Sequence, residues 1–353
     1  MQPRASTSPR IYFVAHNRNH VRIFAEAAAH LRAQGCEVAF ACIDGHADRE
    51  AALKAAAALG YEVLDASILP RVTHAGDVVC VGNDWGPKFF LRTLDRLKRQ
   101  GIIVFGMVEG ARFAYPNHYQ RVQHLMCWGP SALETLPGDK IVVGSPAIEA
   151  AIRPYFDPPE RPFVLINYKF TRGSAELGPI WASAAARAAE QAGAPYVISA
   201  HPLNVGELAG LNVSHEPFTS LLNNASLLVT RSSTAIYEAL AARVSVIYAP
   251  IEGERRAEFG ESFGAFETAT TDAELFALVA VHCAAPRFDD DAAKAFLARH
   301  IDIDPAKPSP QRIADAIQSR WREGVPAVSK GRLSDTFEAI RSALRLNLAG
   351  AAR

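Results

Sequence analysis

Leu227-Leu-Val-Thr-Arg-Ser-Ser-Thr-Ala-Ile-Tyr-Glu-Ala-Leu240 is an apolar run that breaks into polar residues and resumes as a helical pattern. Leu227–Thr230 reads as a buried strand, Thr234–Ala242 as a helix and Val244–Tyr248 as the next strand. Strands joined through a helix of that length run parallel, in a right-handed crossover. The polar corner Arg231, Ser232, Ser233 and Thr234 then lies where a strand ends and a helix begins.

The same alternation extends in both directions. Upstream lie strands Ile11–Ala15, Glu37–Ile43, Val78–Val81, Ile102–Met107, Leu125–Trp128 and Ile141–Val143. Helices over Val21–Gln34 and Asp48–Leu59 end at Gly35 and Gly60, and a third covers about Pro87 to Gln100. Pro154-Tyr-Phe-Asp-Pro-Pro-Glu-Arg-Pro162 is too rich in proline for a helix or a central strand. Strands Phe163–Ile166 and Tyr196–Ser199 follow, and helices Ile180–Ala192, Asp272–Cys283, Ala292–Arg299 and Pro310–Arg320 complete the second half. The expected organisation is an α/β chain with a Rossmann-like domain over 1–153, a linker at 154–162 and a second over 163–325. A tail over 326–353 carries Leu333, Phe337, Ile340, Leu344 and Leu348 on one helical face, with Arg332, Arg341 and Arg345 nearby. Two readings of it stand: a terminal helix packed on the protein, or a basic amphipathic helix touching an anionic membrane.

A length of 353 residues suits two domains at roughly 100–200 residues each. The 37 Lys and Arg balance 37 Asp and Glu, which argues against a general nucleic-acid binder. Five scattered cysteines, none at the spacing of a zinc or redox pair, read as free thiols. The start of the chain lacks the pattern of a secretory signal, and no run approaches the ~18 apolar residues of a membrane span, so a cytoplasmic protein is expected.

In open α/β sheets ligands sit beyond the carboxyl ends of the strands, so residues there are the candidates. Hydroxyls on Ser232, Ser233 and Thr234 suit a phosphate at a helix start, and Glu238, one turn on, suits a ribose diol. An N-cap followed by a surface glutamate is the plainer alternative. Ser199-Ala-His-Pro-Leu-Asn204 places His201 after a strand, able to donate to phosphate or shuttle a proton. Val164-Leu-Ile-Asn-Tyr-Lys-Phe-Thr-Arg-Gly173 places Lys169 and Arg172 over the cleft, where their charge suits a diphosphate. In the first half, His16, Asp84 and Glu109 follow three strands and are the groups able to act as a base toward a hydroxyl. There is no P-loop, no G-x-G-x-x-G after a strand, no G-x-S-x-G elbow and no ligand set at metal spacing.

Taken in order, these motifs resemble the GT-B glycosyltransferase superfamily. They look most like bacterial surface-polysaccharide enzymes, and more loosely like CDP-glycerol glycerophosphotransferases and non-hydrolysing UDP-N-acetylglucosamine 2-epimerases. The likeness rests on Cys127-Trp-Gly-Pro-Ser-Ala-Leu-Glu134, Val142-Val-Gly-Ser-Pro-Ala-Ile-Glu149, His201-Pro202 and the segment from Leu221 through Glu238. It implies two Rossmann-like domains facing a cleft, with a nucleotide-sugar donor on the second and a saccharide or lipid-linked saccharide acceptor on the first. By resemblance Ser232, Ser233 and Thr234 contact the diphosphate, Glu238 the ribose and His201 the donor phosphate, while Gly144 and Ser145 line the cleft. A base, Glu109 or His16, takes the acceptor proton, with no cofactor or metal. A homodimer, and contact with the inner face of a membrane through the tail, are further expectations. The chain departs from the epimerases in having Arg231-Ser-Ser-Thr234 in place of Asp-Ser-Gly-Gly and one glutamate in place of two. A sugar epimerase and a non-catalytic partner-binding subunit remain the alternatives.

Overall fold

The computed structural model describes residues 9–44, 48–84, 86–111, 118–136, 138–153, 162–168, 177–200, 208, 210–251, 253–254 and 257–324. Among the described residues, seven parallel strands form the first sheet: β1 (Arg10–Ala15), β2 (Glu37–Cys42), β3 (Glu62–Asp65), β4 (Val78–Val81), β5 (Ile103–Met107), β6 (His124–Cys127) and β7 (Asp139–Val142). Their order is β3-β2-β1-β4-β5-β6-β7. The second sheet holds six strands among the described residues: β8 (Phe163–Tyr168), β9 (Tyr196–Ala200), β10 (Val213–Ser214), β11 (Ala225–Thr230), β12 (Ser245–Tyr248) and β13 (Glu267–Thr268). Their order is β10-β9-β8-β11-β12-β13. Each sheet grows outward from its first strand and then reverses, so each has a topological switch point: between β1 and β4, and between β8 and β11.

The helices of the first half are α1 (Arg18–Ala33), α2 (Arg49–Ala58), α3 (Leu69–Val72), α4 (Lys88–Arg99), α5 (Pro130–Thr135) and α6 (Pro146–Ala151). Those of the second are α7 (Leu177–Gln191), α8 (Phe218–Leu222), α9 (Ala235–Ala241), α10 (Asp272–Ala284), α11 (Asp290–His300) and α12 (Ser309–Glu323). Helices on both sheet faces explain why β1 is apolar without alternation. Ile11, Phe13 and Ala15 join one core with Phe24, Ala28 and Leu31 of α1, while Tyr12 and Val14 join another with Phe90, Leu94 and Leu97 of α4.

The expected central strands and long helices are present. Three strands that were not expected, β3, β10 and β13, lie at sheet edges, where short segments mix polar and apolar residues. Residues 154–161 of the expected linker and the Leu333–Leu348 helix lie outside the described residues.

The two sheets share a continuous apolar core. Trp128 lies edge-on to Tyr237, whose ring stacks on Phe296, and Ser131 Oγ is 2.9 Å from His300 Nδ1. Helix α12 crosses back onto the first half: Trp321 Nε1 donates to the Gly76 carbonyl at 2.9 Å and Gln318 Nε2 to Gln34 Oε1 at 2.7 Å. At its start, Glu149 accepts from Ser309 N at 2.6 Å, Ser309 Oγ at 2.9 Å and Arg312 Nη2 at 2.8 Å. Removing this carboxylate leaves Ser309 N without its acceptor, while Ser309 Oγ keeps the Val143 carbonyl at 2.8 Å and Arg312 keeps Asp302 at 2.7 Å. Glu149→Ala should therefore cost about 2 kcal/mol in urea denaturation, whereas wild-type stability would show that the clasp contributes little.

Candidate active site

The first switch point is organised around His20. Asn17 caps α1, its side chain accepting from His20 N at 3.1 Å, and this sets His20 in the first turn. The ring folds back so that Nδ1 accepts from His16 N at 3.2 Å. Nε2 is thereby left as the ring donor, and it meets Glu109 Oε1 at 2.5 Å. Asn83 Nδ2, from the loop after β4, approaches Glu109 Oε2 at 3.4 Å. His20 is fully buried, whereas the Glu109 side chain keeps 34% exposure. Burial raises the Glu109 pKa, but the interactions with His20, then Asn83 and His118, outweigh it and hold the group below the usual carboxylate value.

The surroundings are cut to fit this arrangement. A Cβ on Gly82 would lie 2.5 Å from His20 Nδ1, so only glycine leaves room for the imidazole. His16 is buried, edge-on to both His20 and Phe90. Asp84 accepts from the backbone N–H groups of Tyr119 at 2.5 Å and Arg121 at 2.8 Å. With both oxygens on main chain, it holds Tyr119 at a φ of 59°, strained for a bulky residue. Asp84 is thus the clamp that brings His118 and Tyr119 beside Glu109.

The second switch point carries the corner after β11. Arg231, part of the expected donor corner, and Ser232, expected at the diphosphate, both make contacts within the protein. Arg231 is 1% exposed and grips Glu254, Nε donating to Oε2 at 2.8 Å and Nη2 to Oε1, beside the Trp181 ring. Ser232 Oγ donates to the Glu254 carbonyl at 2.5 Å and lies 2.8 Å from Tyr248 Oη. Both side chains fasten the segment after β12 to the corner. Ser233 and Thr234 remain partly exposed, Ser233 Oγ accepting from Ala235 N at 3.2 Å.

Glu238 stands one turn further along α9. Its Oε2 is buried without a hydrogen-bond partner among the described residues. Burial lifts its pKa to about 7, against a weaker opposing pull from Arg22. Arg22 belongs to α1, two residues after His20, so the first turns of one helix face both carboxylates. Gly144, with φ 76°, sits under the start of α12: a Cβ there would lie 2.3 Å from Arg312 Nη2 and 2.4 Å from Ser309 Oγ. Ser145 is buried at the N-cap of α6. Lys169, Arg172 and His201 lie outside the described residues.

Three residues of the site carry no role in the sequence reading: His20, Asn83 and Arg22. A signal for His20 does exist, because Asn17 three residues before it has the spacing of a helix cap.

No family model matches the chain, and no curated protein matches it. Solved structures do. UDP-GlcNAc 2-epimerase of Methanocaldococcus jannaschii, solved with UDP-GlcNAc and UDP, superposes with a TM-score of 0.63 at 13% identity, covering 88% of this chain and 99% of that one. MurG of Acinetobacter baumannii gives 0.57 at 16%, covering 88% and 99%. The glycosyltransferase VinC, in complex with dTDP, gives 0.56 at 13%, covering 89% and 100%. The fold is GT-B.

Two predictions follow from the geometry of this GT-B chain. Gly82→Ala should displace His20 and cost about 1–3 kcal/mol in urea denaturation, an outcome contradicted by wild-type stability. For Glu238, the folded-state pKa of about 7 exceeds the ordinary 4.5, so the folded state holds the extra proton between those values. Its contribution is complete below pH 4.5 and is lost as pH rises through about 7. Glu238→Gln should therefore melt above the wild type at pH 8 and much nearer to it at pH 4.5; parallel melting profiles would contradict this.

Proposed function

We propose that this protein is a glycosyltransferase that moves a sugar from a nucleotide-activated donor to a hydroxyl acceptor in cell-surface carbohydrate synthesis. The observation that carries the proposal is the Glu109–His20 pair at one switch point, a partly exposed side chain whose carboxylate is kept ionised. A carboxylate so held is a general base for a hydroxyl proton at neutral pH. The donor binds across the second switch point, its ribose diol hydrogen-bonding to Glu238 and its phosphates meeting Ser233 and Thr234. Lys169 and Arg172, in the segment after β8, supply positive charge to the diphosphate, and His201, after β9, donates to a phosphate oxygen of the donor.

In the reaction the acceptor hydroxyl gives its proton to Glu109. The acceptor oxygen bonds to the anomeric carbon as the bond from that carbon to the phosphate oxygen breaks. The nucleoside diphosphate leaves as an anion, stabilised by the donors around it, with no bound metal. His20 and Asn83 orient the base, and Asp84 holds the segment beside it. The buried Oε2 of Glu238, without a hydrogen-bond partner among the described residues, is the feature that supports ribose: a diol supplies hydrogen-bond donors to it.

Thermal shifts with UDP, CDP, GDP and dTDP, followed by NMR of donor with and without an oligosaccharide acceptor, test the proposal. At least one nucleotide should stabilise the protein, Glu238→Ala should abolish that shift, and Glu109→Gln should keep it while lowering transfer about 100-fold or more. Absence of any nucleotide shift would overturn the proposal. So would an epimerised sugar formed from donor alone, which would identify an isomerase.

A further inference from the structure

Helix α4 divides into two unlike faces. Phe90, Thr93, Leu94 and Leu97 are buried against the first sheet. Lys88, Arg92, Arg96 and Arg99 are exposed. Spacings of four, four and three residues put these four cations on one stripe, about 16 Å long at 1.5 Å per residue. Asp95 is the acidic residue of the helix, and its carboxylate is taken by Arg121 at 3.4 Å. Among the described residues Lys88, Arg92 and Arg96 have no ion-pair partner, while Arg99 Nε donates to the Asp95 carbonyl at 3.2 Å. Arg71, exposed on the neighbouring α3, extends the stripe. On a chain whose charges cancel, this is a concentrated one-sided patch.

The patch has a direction. At its first turn Phe89 stands 37% exposed beside the cations, and the next residue, Phe90, packs edge-on against His16. The stripe therefore starts at the Glu109 cluster and runs away from it along the outer surface. A flat anionic surface lying against this face would meet cations along its length and one aromatic ring at the end nearest the cleft.

We infer that α4 is the docking face of this protein for an anionic lipid bilayer, with the cation stripe on the headgroups and Phe89 at the interface. Each cation contributes roughly a fivefold gain in partitioning to an anionic surface, and an interfacial aromatic adds apolar contact. Among the described residues no helix is long and apolar enough to cross a membrane, so attachment here is to the surface. Docked in this way, the carboxylate at the first switch point opens close to the headgroups, where a lipid-linked hydroxyl is presented. The inference stands independently of which reaction the site performs.

Co-sedimentation of the full chain with vesicles of phosphatidylcholine, alone or mixed with phosphatidylglycerol, tests it. Binding should require phosphatidylglycerol and weaken with added salt. The double variant Arg92→Gln with Arg96→Gln should partition about 30-fold less while its circular dichroism and thermal midpoint stay unchanged. The double variant Phe337→Glu with Leu344→Glu, in the tail, should bind as the wild type does. Four results would overturn the inference: equal binding to pure phosphatidylcholine, no binding to either vesicle, wild-type binding by the Arg92/Arg96 variant, or retention on a single-stranded RNA oligonucleotide as strong as on the anionic vesicles.

Discussion

The hydrogen bond from His20 Nε2 to Glu109 is the constraint around which the first half of the molecule is arranged. It exists because His16 N–H occupies the other ring nitrogen, because Asn17 starts α1 where it does, and because Gly82 leaves space for the imidazole. A buried histidine with both nitrogens engaged has no freedom to rotate, and its fixed donor keeps a mostly enclosed carboxylate charged against the cost of desolvation. Glu238 is the counter-example in the same molecule. Its buried Oε2 has no hydrogen-bond partner among the described residues, and its pKa rises to about 7. Two carboxylates pushed in opposite directions by their surroundings are what a site with divided tasks requires.

These two environments are linked through α1, whose first turns carry His20 toward one and Arg22 toward the other. The joint beneath them is packed rather than hinged on a single strand of chain. Trp128, Tyr237, Phe296 and His300 form an aromatic wedge between the sheets, and α12 returns from the second half to close against the first. Gly144 is accordingly a packing requirement of that return, since any side chain there would collide with Arg312 and Ser309.

The architecture was legible because β1, β4, β5, β8 and β11 are buried on both faces, and burial of that kind writes an uninterrupted apolar run into the chain. Edge strands β3, β10 and β13 carry no such run. At the candidate site, strand ends drew attention to both switch points, and Glu109 and Glu238 were both legible as candidates. The contacts of their neighbours were not. Arg231 has the residue type of a phosphate ligand, and only the fold reveals Glu254, 23 positions later, closing on its guanidinium. His20 and Glu109 are 89 positions apart, and no local pattern joins them. Position in a sheet follows from composition, whereas pairing of side chains depends on which strands become neighbours.

The most direct measurement of the central claim is a crystal structure of the protein soaked with a nucleoside diphosphate. The account predicts the ribose hydroxyls within hydrogen-bond distance of Glu238, the phosphates at Ser233 and Thr234, and the open oxygen of Glu109 facing the β-phosphate across the cleft. A nucleotide bound elsewhere, with Glu238 still unpartnered or Glu109 turned from it, would contradict the account.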